Sequence, residues 1–310
     1  MVVIEVIMDS ILEKKHYRKV FYVIMGLILG LTFTIRAFVI PYYSGTALSW
    51  GSFFLSLCDN FIVSLVITII IGCFIFWLTP DNVLISKIEI IEPKEINPAL
   101  KSVLSTTRNW IYKGTCGRYT RATTLPRLAE AARNSGFGRD ITICLLNPKN
   151  EKLCKEYAIY RKSLKSADPN NPWTQESVQE EIIATAIVAL KYTYLEPLLR
   201  INIFFVDHFS AFRLDISDSF VIVTKEDKEA SALKADAGTY FYDSYKDDVR
   251  LTERQSLSLG HFPTLVFNGD VDEAKLKEVL LHTHFFDHSV LSQTSIKSIL
   301  EKINKPKDPY

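Results

Sequence analysis

Residues 61–78 read FIVSLVITIIIGCFIFWL. No charge interrupts this run, and Ser64 and Thr68 are its only polar side chains apart from a cysteine. As a helix it would extend about 27 Å, close to the hydrocarbon thickness of a bilayer. Toward the N-terminus, residues 20–40 form a second apolar stretch, VFYVIMGLILGLTFTIRAFVI, broken only by Arg36. Two buried core helices are the competing reading, but the uncharged length and sharp polar flanks favour a membrane hairpin over residues 20–79. A cleaved signal fits poorly, because the first stretch is too long and no small-residue cleavage site follows it.

Lys14, Lys15, Arg18 and Lys19 stand before the first stretch, whereas the connecting residues 41–51 carry no Lys or Arg. The positive-inside rule therefore places the N-terminal helix of residues 1–19 in the cytoplasm, and two crossings return residues 83–310 to the same side. Tyr42, Tyr43, Trp50 and Trp77 suit aromatic anchors at the two interfaces of an inner membrane. Arg36 is costly at that depth, and Asp59 lies at a similar distance beyond the turn. The two can pair as a structural ion pair, Arg36 can snorkel to the headgroups, or both can line the mouth of an oligomeric pore.

The remaining residues predict an α/β domain with a mixed sheet. Strands are expected over residues 83–91, 109–113, 141–146, 201–206, 212–216 and 220–224, the last two joined by Ser217-Asp218-Ser219. Helices are expected over 97–107, 123–134, about 150–165, 175–196, 274–284 and 293–303. Five cysteines form no CxxC pair and no cluster with His at metal spacing, which predicts reduced thiols and no metal site. His284 and His288 share a helical face, but no HExxH surrounds them. The net charge of +1 argues against broad nonspecific nucleic-acid binding and leaves room for a local basic patch. One such patch is Lys113-Gly-Thr-Cys-Gly-Arg118-Tyr-Thr-Arg121, between a strand and a helix. Glycines permit a tight turn, and Lys113, Arg118 and Arg121 with helix N-terminal amides can attract an anion. It lacks the GxxxxGK[ST] of a Walker A loop, and an ordinary basic turn is the alternative.

Residues 110–161, WIYKGTCGRYTRATTLPRLAEAARNSGFGRDITICLLNPKNEKLCKEYAIYR, are similar to the first half of phospholipase-D-like domains of bacterial regulatory and defence proteins. The later FRLDISDSFVIVT resembles that family's HxKxxxxD hairpin, with Ala211 at the His position, Arg213 at the Lys and Asp218 at the Asp. The nucleophilic His is absent, and His208 lies three residues off the pattern. The resemblance therefore implies a phospholipase-D-like fold that has kept a phosphodiester-shaped site without catalysis. Lys113, Arg118, Arg121, Arg213 and Lys225 would clamp phosphates there, with no cofactor.

Two spans plus such a domain resemble the membrane effectors of bacterial anti-phage systems. That resemblance implies a homo-oligomeric channel gated by a nucleotide or short oligonucleotide, which an associated nucleotidyltransferase supplies. The alternatives are a membrane-anchored phosphodiesterase or phospholipase, and a tethered adaptor. The topology is testable by itself. A reporter active only in the cytoplasm should signal when fused after residue 310 and stay silent when inserted in the 43–50 turn; the reverse pattern would overturn the orientation.

Overall fold

The computed structural model describes residues 15–43, 48–78, 88–170, 172–260, 262, 265–283 and 292–309. The chain forms two compact units, Met1–Ile85 and Ser86–Tyr310. Lys14, the 44–47 turn, the Pro80–Asn82 break, most of the strand expected over 83–91, His261, His284 and His288 lie outside the described residues.

In the first unit, helix α1 (Lys15–Thr34) runs through a π-turn (Ile35–Val39) into the short α2 (Ile40–Tyr43), and α3 covers Leu48–Leu78. Pro41 has no N–H to offer Ala37, and the preceding turn widens so that the Ile40 N–H bonds to Ile35 O. Gly72 lies beside Phe21 and Tyr22, while Arg36 pairs with Asp59, which fixes an antiparallel hairpin of α1 and α3. Windows Val20–Val39 and Ser52–Phe74 have mean hydropathies of 1.9 and 2.3, and both are long and apolar enough to cross a membrane. Of the residues in these windows only Leu65 is buried within the chain, unlike the core helix of a soluble domain. Leu27, Leu31, Phe38 and Ile70 are among the large apolar side chains left exposed. The hydroxyls of Thr32, Thr34, Ser64 and Thr68 each donate to the carbonyl four residues earlier at 2.8–2.9 Å. Such internal bonding spares a hydroxyl the cost of facing hydrocarbon unpaired. Tyr42 is exposed, and the side chains of Tyr43, Trp50 and Trp77 lie outside the described ones.

The second unit is a mixed α/β domain. Its strands are β1 (Glu89–Ile91), β2 (Asn109–Lys113), β3 (Arg139–Leu146), β4 (Leu199–Val206), β5 (Phe212–Ile216), β6 (Phe220–Lys225), β7 (Ala232–Asp236) and β8 (Leu257–Ser258). They form one sheet in the order β1-β7-β6-β5-β2-β3-β4-β8. Strands β2, β3 and β4 are parallel, and the other pairings are antiparallel. Helices α4 (Pro93–Val103), α5 (Leu125–Ser135), α6 (Glu151–Lys162), α7 (Gln175–Leu195), α8 (Tyr240–Gln255), α9 (Glu273–Thr283) and α10 (Gln293–Asn304) complete the described domain. Every residue of α7 from 181 to 190 is buried, because β4, α6 and α10 all pack on it.

The helix expected over 97–107 starts four residues earlier, since Glu92 occupies the N-cap and Pro93 the first turn, where proline costs nothing. Gly136 ends α5 in the left-handed conformation (φ 70°), its N–H bonded to Ala132 O. The stretch 226–273, unassigned by its periodicity, supplies β7, α8 and β8.

Asp218, in the β5–β6 turn, ties this hairpin to the start of β2. It accepts from Arg108 N (2.6 Å), Asn109 N (3.1 Å), Asn109 Nδ2 (2.9 Å) and Thr107 Oγ1 (3.2 Å). Desolvation opposes its ionisation, but these donors outweigh that cost and hold its pKa below the ordinary aspartate value. A depressed carboxylate adds stability that is complete above the unfolded-state pKa of about 3.9 and is lost as pH falls through the folded value. Asp218→Asn should therefore cost about 1 kcal/mol at neutral pH. Urea titrations should show that deficit shrinking in acid; a deficit independent of pH would contradict this role.

Candidate functional site

Strand β2 delivers the chain to a sharp loop at its C-terminal end, where parallel strands of α/β sheets commonly present ligand sites. Two glycines let the loop fold down. A Cβ on Gly114 would lie 2.4 Å from the Tyr112 hydroxyl oxygen. Gly117 has φ 68°, and a Cβ there would meet Thr185 and Leu145 at 2.8 and 2.9 Å. The Tyr112 hydroxyl fills the turn, accepting from Thr115 N (3.2 Å) and Gly117 N (3.1 Å).

Beside this loop lies a narrow cavity of about 60 Å³ that opens to solvent. Strand alternation points Arg213 into it from β5, with Thr224 facing Arg213 across the β5–β6 ladder. Arg118, Arg161, Arg213 and Lys228 line it together with two carboxylate residues, Glu226 and Asp227. The indole of Trp173 stands between two of the cations, its ring centroid 5.7 Å from the Arg118 guanidinium and 4.9 Å from that of Arg161. Such contacts orient a guanidinium without neutralising it. Among the described residues, three buried donors on these walls have no hydrogen-bond partner: Arg118 Nε, Arg161 Nε and Thr224 Oγ1. Buried donors are seldom left unmade, and these three are available to an acceptor-rich group.

The carboxylates are also in place. Glu226 accepts from Arg161 Nη1 through Oε2 (3.0 Å) and from the Thr115 hydroxyl through Oε1 (2.6 Å), and that hydroxyl shares a 2.8 Å hydrogen bond with Tyr157. Arg213 Nε donates to Asp215 Oδ2 at 2.8 Å. Burial pushes the Asp215 carboxyl up, against the pull of Arg213. Burial likewise raises the Cys116 thiol well above its usual range, which leaves it protonated and a poor nucleophile.

Of the basic residues singled out in the sequence, the structure brings Arg118 and Arg213 together here, borders the cavity with Lys225 but turns its ammonium to the Phe212 ring on the other strand face, and places Lys113 and Arg121 elsewhere. Lys113 follows Tyr112 on the strand, so it points to the opposite face and pairs with Asp248 of α8 at 2.7 Å. Arg121 is buried in a second π-turn (Thr120–Thr124), where it bonds Glu181 Oε2 (2.6 Å), Glu181 O (3.0 Å) and Thr185 Oγ1 (3.0 Å). Arg161, Trp173 and Glu226 are the additions that sequence reasoning missed. Trp173 ends the turn-rich ADPNNPW, and no spacing ties that loop to Arg161 or Glu226. Asp218 stands at the other end of β2 from this cavity, and Ala211 is not among its lining residues. In the first unit, Arg36 and Asp59 form a two-pronged ion pair, Nη2 to Oδ2 at 3.2 Å and Nε to Oδ1, each side chain half-exposed.

No family model and no curated protein matches the chain. Among solved structures it is similar to TrmBL2, an archaeal chromatin protein described as showing a novel mode of DNA binding, at 11% identity and a TM-score of 0.32. The match spans 65% of this chain and 65% of that one, less than two thirds of its length. A likeness at this level carries no conclusion about fold or function.

The two neighbouring arginines should separate on substitution. Removing Arg121 strands the Glu181 carboxylate in the core, so Arg121→Met should destabilise the domain by about 3–5 kcal/mol. Arg118 holds Glu181 only at 3.8 Å and is a third exposed, so Arg118→Gln should cost no more than about 1 kcal/mol. Chemical denaturation of the detergent-solubilised chain, followed by tryptophan fluorescence, measures both; equal costs would refute the division.

Proposed function

We propose that this chain is a membrane-anchored sensor whose α/β domain binds a phosphate-bearing ligand, a nucleotide or short oligonucleotide, in the cavity between the β2 loop, α6 and the β5–β6 hairpin. The observation that carries this reading is the convergence of cationic side chains with unpartnered buried donors on one narrow cleft. Phosphate oxygens offer the acceptors and charge that such walls require. Among the described residues lining the cleft there is no histidine, so transfer through a phosphohistidine has no nucleophile there. Binding without turnover is the better fit, ahead of a membrane-anchored phosphodiesterase or phospholipase.

The two apolar helices anchor the sensor in a bilayer, and copies assemble around the Arg36–Asp59 pair. Half-exposed charges are costly against lipid and far less so around a water-filled path. Ligand gates this path by binding one state of the domain more tightly than the other. The phospholipase-D-like ancestry is supported by the run of residues 110–161 and by Arg213, which takes the motif's Lys position and lines the cleft. The place in a bacterial anti-phage system, with a nucleotidyltransferase making the ligand and an inner-membrane channel as output, rests on the same resemblance.

Sensing and flux should be separable. Arg118→Gln and Arg161→Gln should each weaken binding of a fluorescein-labelled oligothymidylate by roughly ten- to a hundredfold, while Arg36→Met keeps parental affinity. In liposomes the Arg36 variant should instead change ion flux. Parental affinity in both cleft variants would move the sensor site elsewhere, and normal flux in Arg36→Met would leave that residue a structural arginine.

A further inference from the structure

Each of the three arginines of the cleft has a carboxylate of the fold beside it, two of them in close pairs. Arg161 pairs with Glu226 at 3.0 Å, Arg213 with Asp215 at 2.8 Å, and Arg118 leans toward Glu181 at 3.8 Å. These carboxylates differ in how firmly the fold holds them. Asp215 lies mid-strand, flanked by β2 and β6, and its side chain is fully buried. Glu181 is on the most deeply packed helix and is committed to Arg121 at 2.6 Å. Glu226 instead sits one residue past the end of β6, at the start of the loop that leads to β7. It is held by side-chain groups together with one contact from Arg161 to its own carbonyl oxygen.

We infer that Glu226 is a resident anion: its carboxylate occupies the phosphate seat of the cleft, and ligand binding displaces it together with the segment from Glu226 to Ser231. The inference rests on the cleft being the ligand site. Each group that holds the carboxylate is one that a phosphate would use, a guanidinium N–H of Arg161 and the Thr115 hydroxyl. Glu226 also falls on the same strand face as Thr224, whose hydroxyl is buried and unpartnered two residues earlier. A phosphate has more acceptor oxygens than a carboxylate, so it can hold the Glu226 partners and also reach Thr224 Oγ1, Arg118 Nε or Arg161 Nε.

Displacing an internal carboxylate has two consequences. It lowers apparent affinity, since ligand competes with a partner that is always present, and it excludes neutral ligands, which cannot take over the charge on Arg161. It also gives the domain two discrete states, with the loop between β6 and β7 held at Glu226 or released. A ligand that binds only the released state shifts that equilibrium, which is the differential affinity a gate needs.

The test uses the full chain in detergent and the fluorescein-labelled oligothymidylate, with inorganic pyrophosphate as competitor. Glu226→Gln keeps the shape and removes the charge, so it should bind the probe roughly tenfold more tightly than the parent. In an Arg161→Gln background the same change should give little gain, because the contested cation is gone. Hydrogen exchange should show amides 227–231 less protected in Glu226→Gln and in the probe-bound parent than in the empty parent. Glu226→Ala repeats the comparison if the glutamine variant retains the hydrogen bonds. Equal or weaker binding by both Glu226 variants, with Arg118→Gln still losing affinity, would overturn the resident-anion role and leave the cleft as the site. Unchanged binding in the Arg118 and Arg161 variants would overturn the cleft reading and this inference with it.

Discussion

The buried Arg121 guanidinium sets the geometry on which the rest of the cleft depends. From its π-turn it grips the Glu181 carboxylate and the Glu181 carbonyl oxygen, and it reaches Thr185, whose hydroxyl donates to Cys116 O at 2.7 Å. One side chain thereby ties the start of the helical segment before α5, the β2 loop and the central helix α7 into one body. A buried ion pair is tolerable only when its remaining hydrogen-bonding capacity is well used; this one uses both terminal nitrogens on backbone, hydroxyl and carboxylate oxygens and leaves only Nε without a partner among the described residues. Its effect on Arg118 is indirect. Glu181 is spent on Arg121, so Arg118 keeps only a 3.8 Å hold and turns its guanidinium toward Trp173 and the cleft.

The same rule of internal satisfaction shapes both units. In the α/β domain, Tyr112 uses its hydroxyl to satisfy two loop amides, and burial keeps that phenol neutral by raising its pKa well above the ordinary value. The amides of Thr115 and Gly117 are therefore used inside the fold, and in the proposed site the contacts to a ligand fall to side chains. In the helical hairpin, hydroxyls bond back to their own helix and Arg36 meets Asp59, so few polar groups face outward unpaired. The apolar side chains do the opposite and remain exposed along both helices, as a surface requires when lipid is its solvent.

Much of the architecture was legible from pattern alone because the patterns are local. Two apolar runs long enough for a bilayer show in length and hydropathy, and the antiparallel geometry of a tight hairpin brings Arg36 level with Asp59. Strands such as Asn109–Lys113 and Phe212–Ile216 stand out through β-branched and aromatic residues bounded by turn formers. Less was legible where composition and structure disagree. ALKAD of β7 has weak strand propensity and pairs because β6 and β1 flank it.

The division for the cleft is sharper. By itself, the sequence determined a basic, glycine-containing loop between a strand and a helix, since charge, chain reversal and helix start are all written within nine consecutive residues. Only the tertiary structure decided which of those charges share a site. The two-residue period of β2 sent Lys113 to the far face, and helix packing buried Arg121 against Glu181, while Arg161, Trp173, Arg213 and Glu226 arrived from segments up to about a hundred residues away. Burial and partnership depend on contacts between distant segments, and no local pattern encodes which carboxylate will reach which arginine.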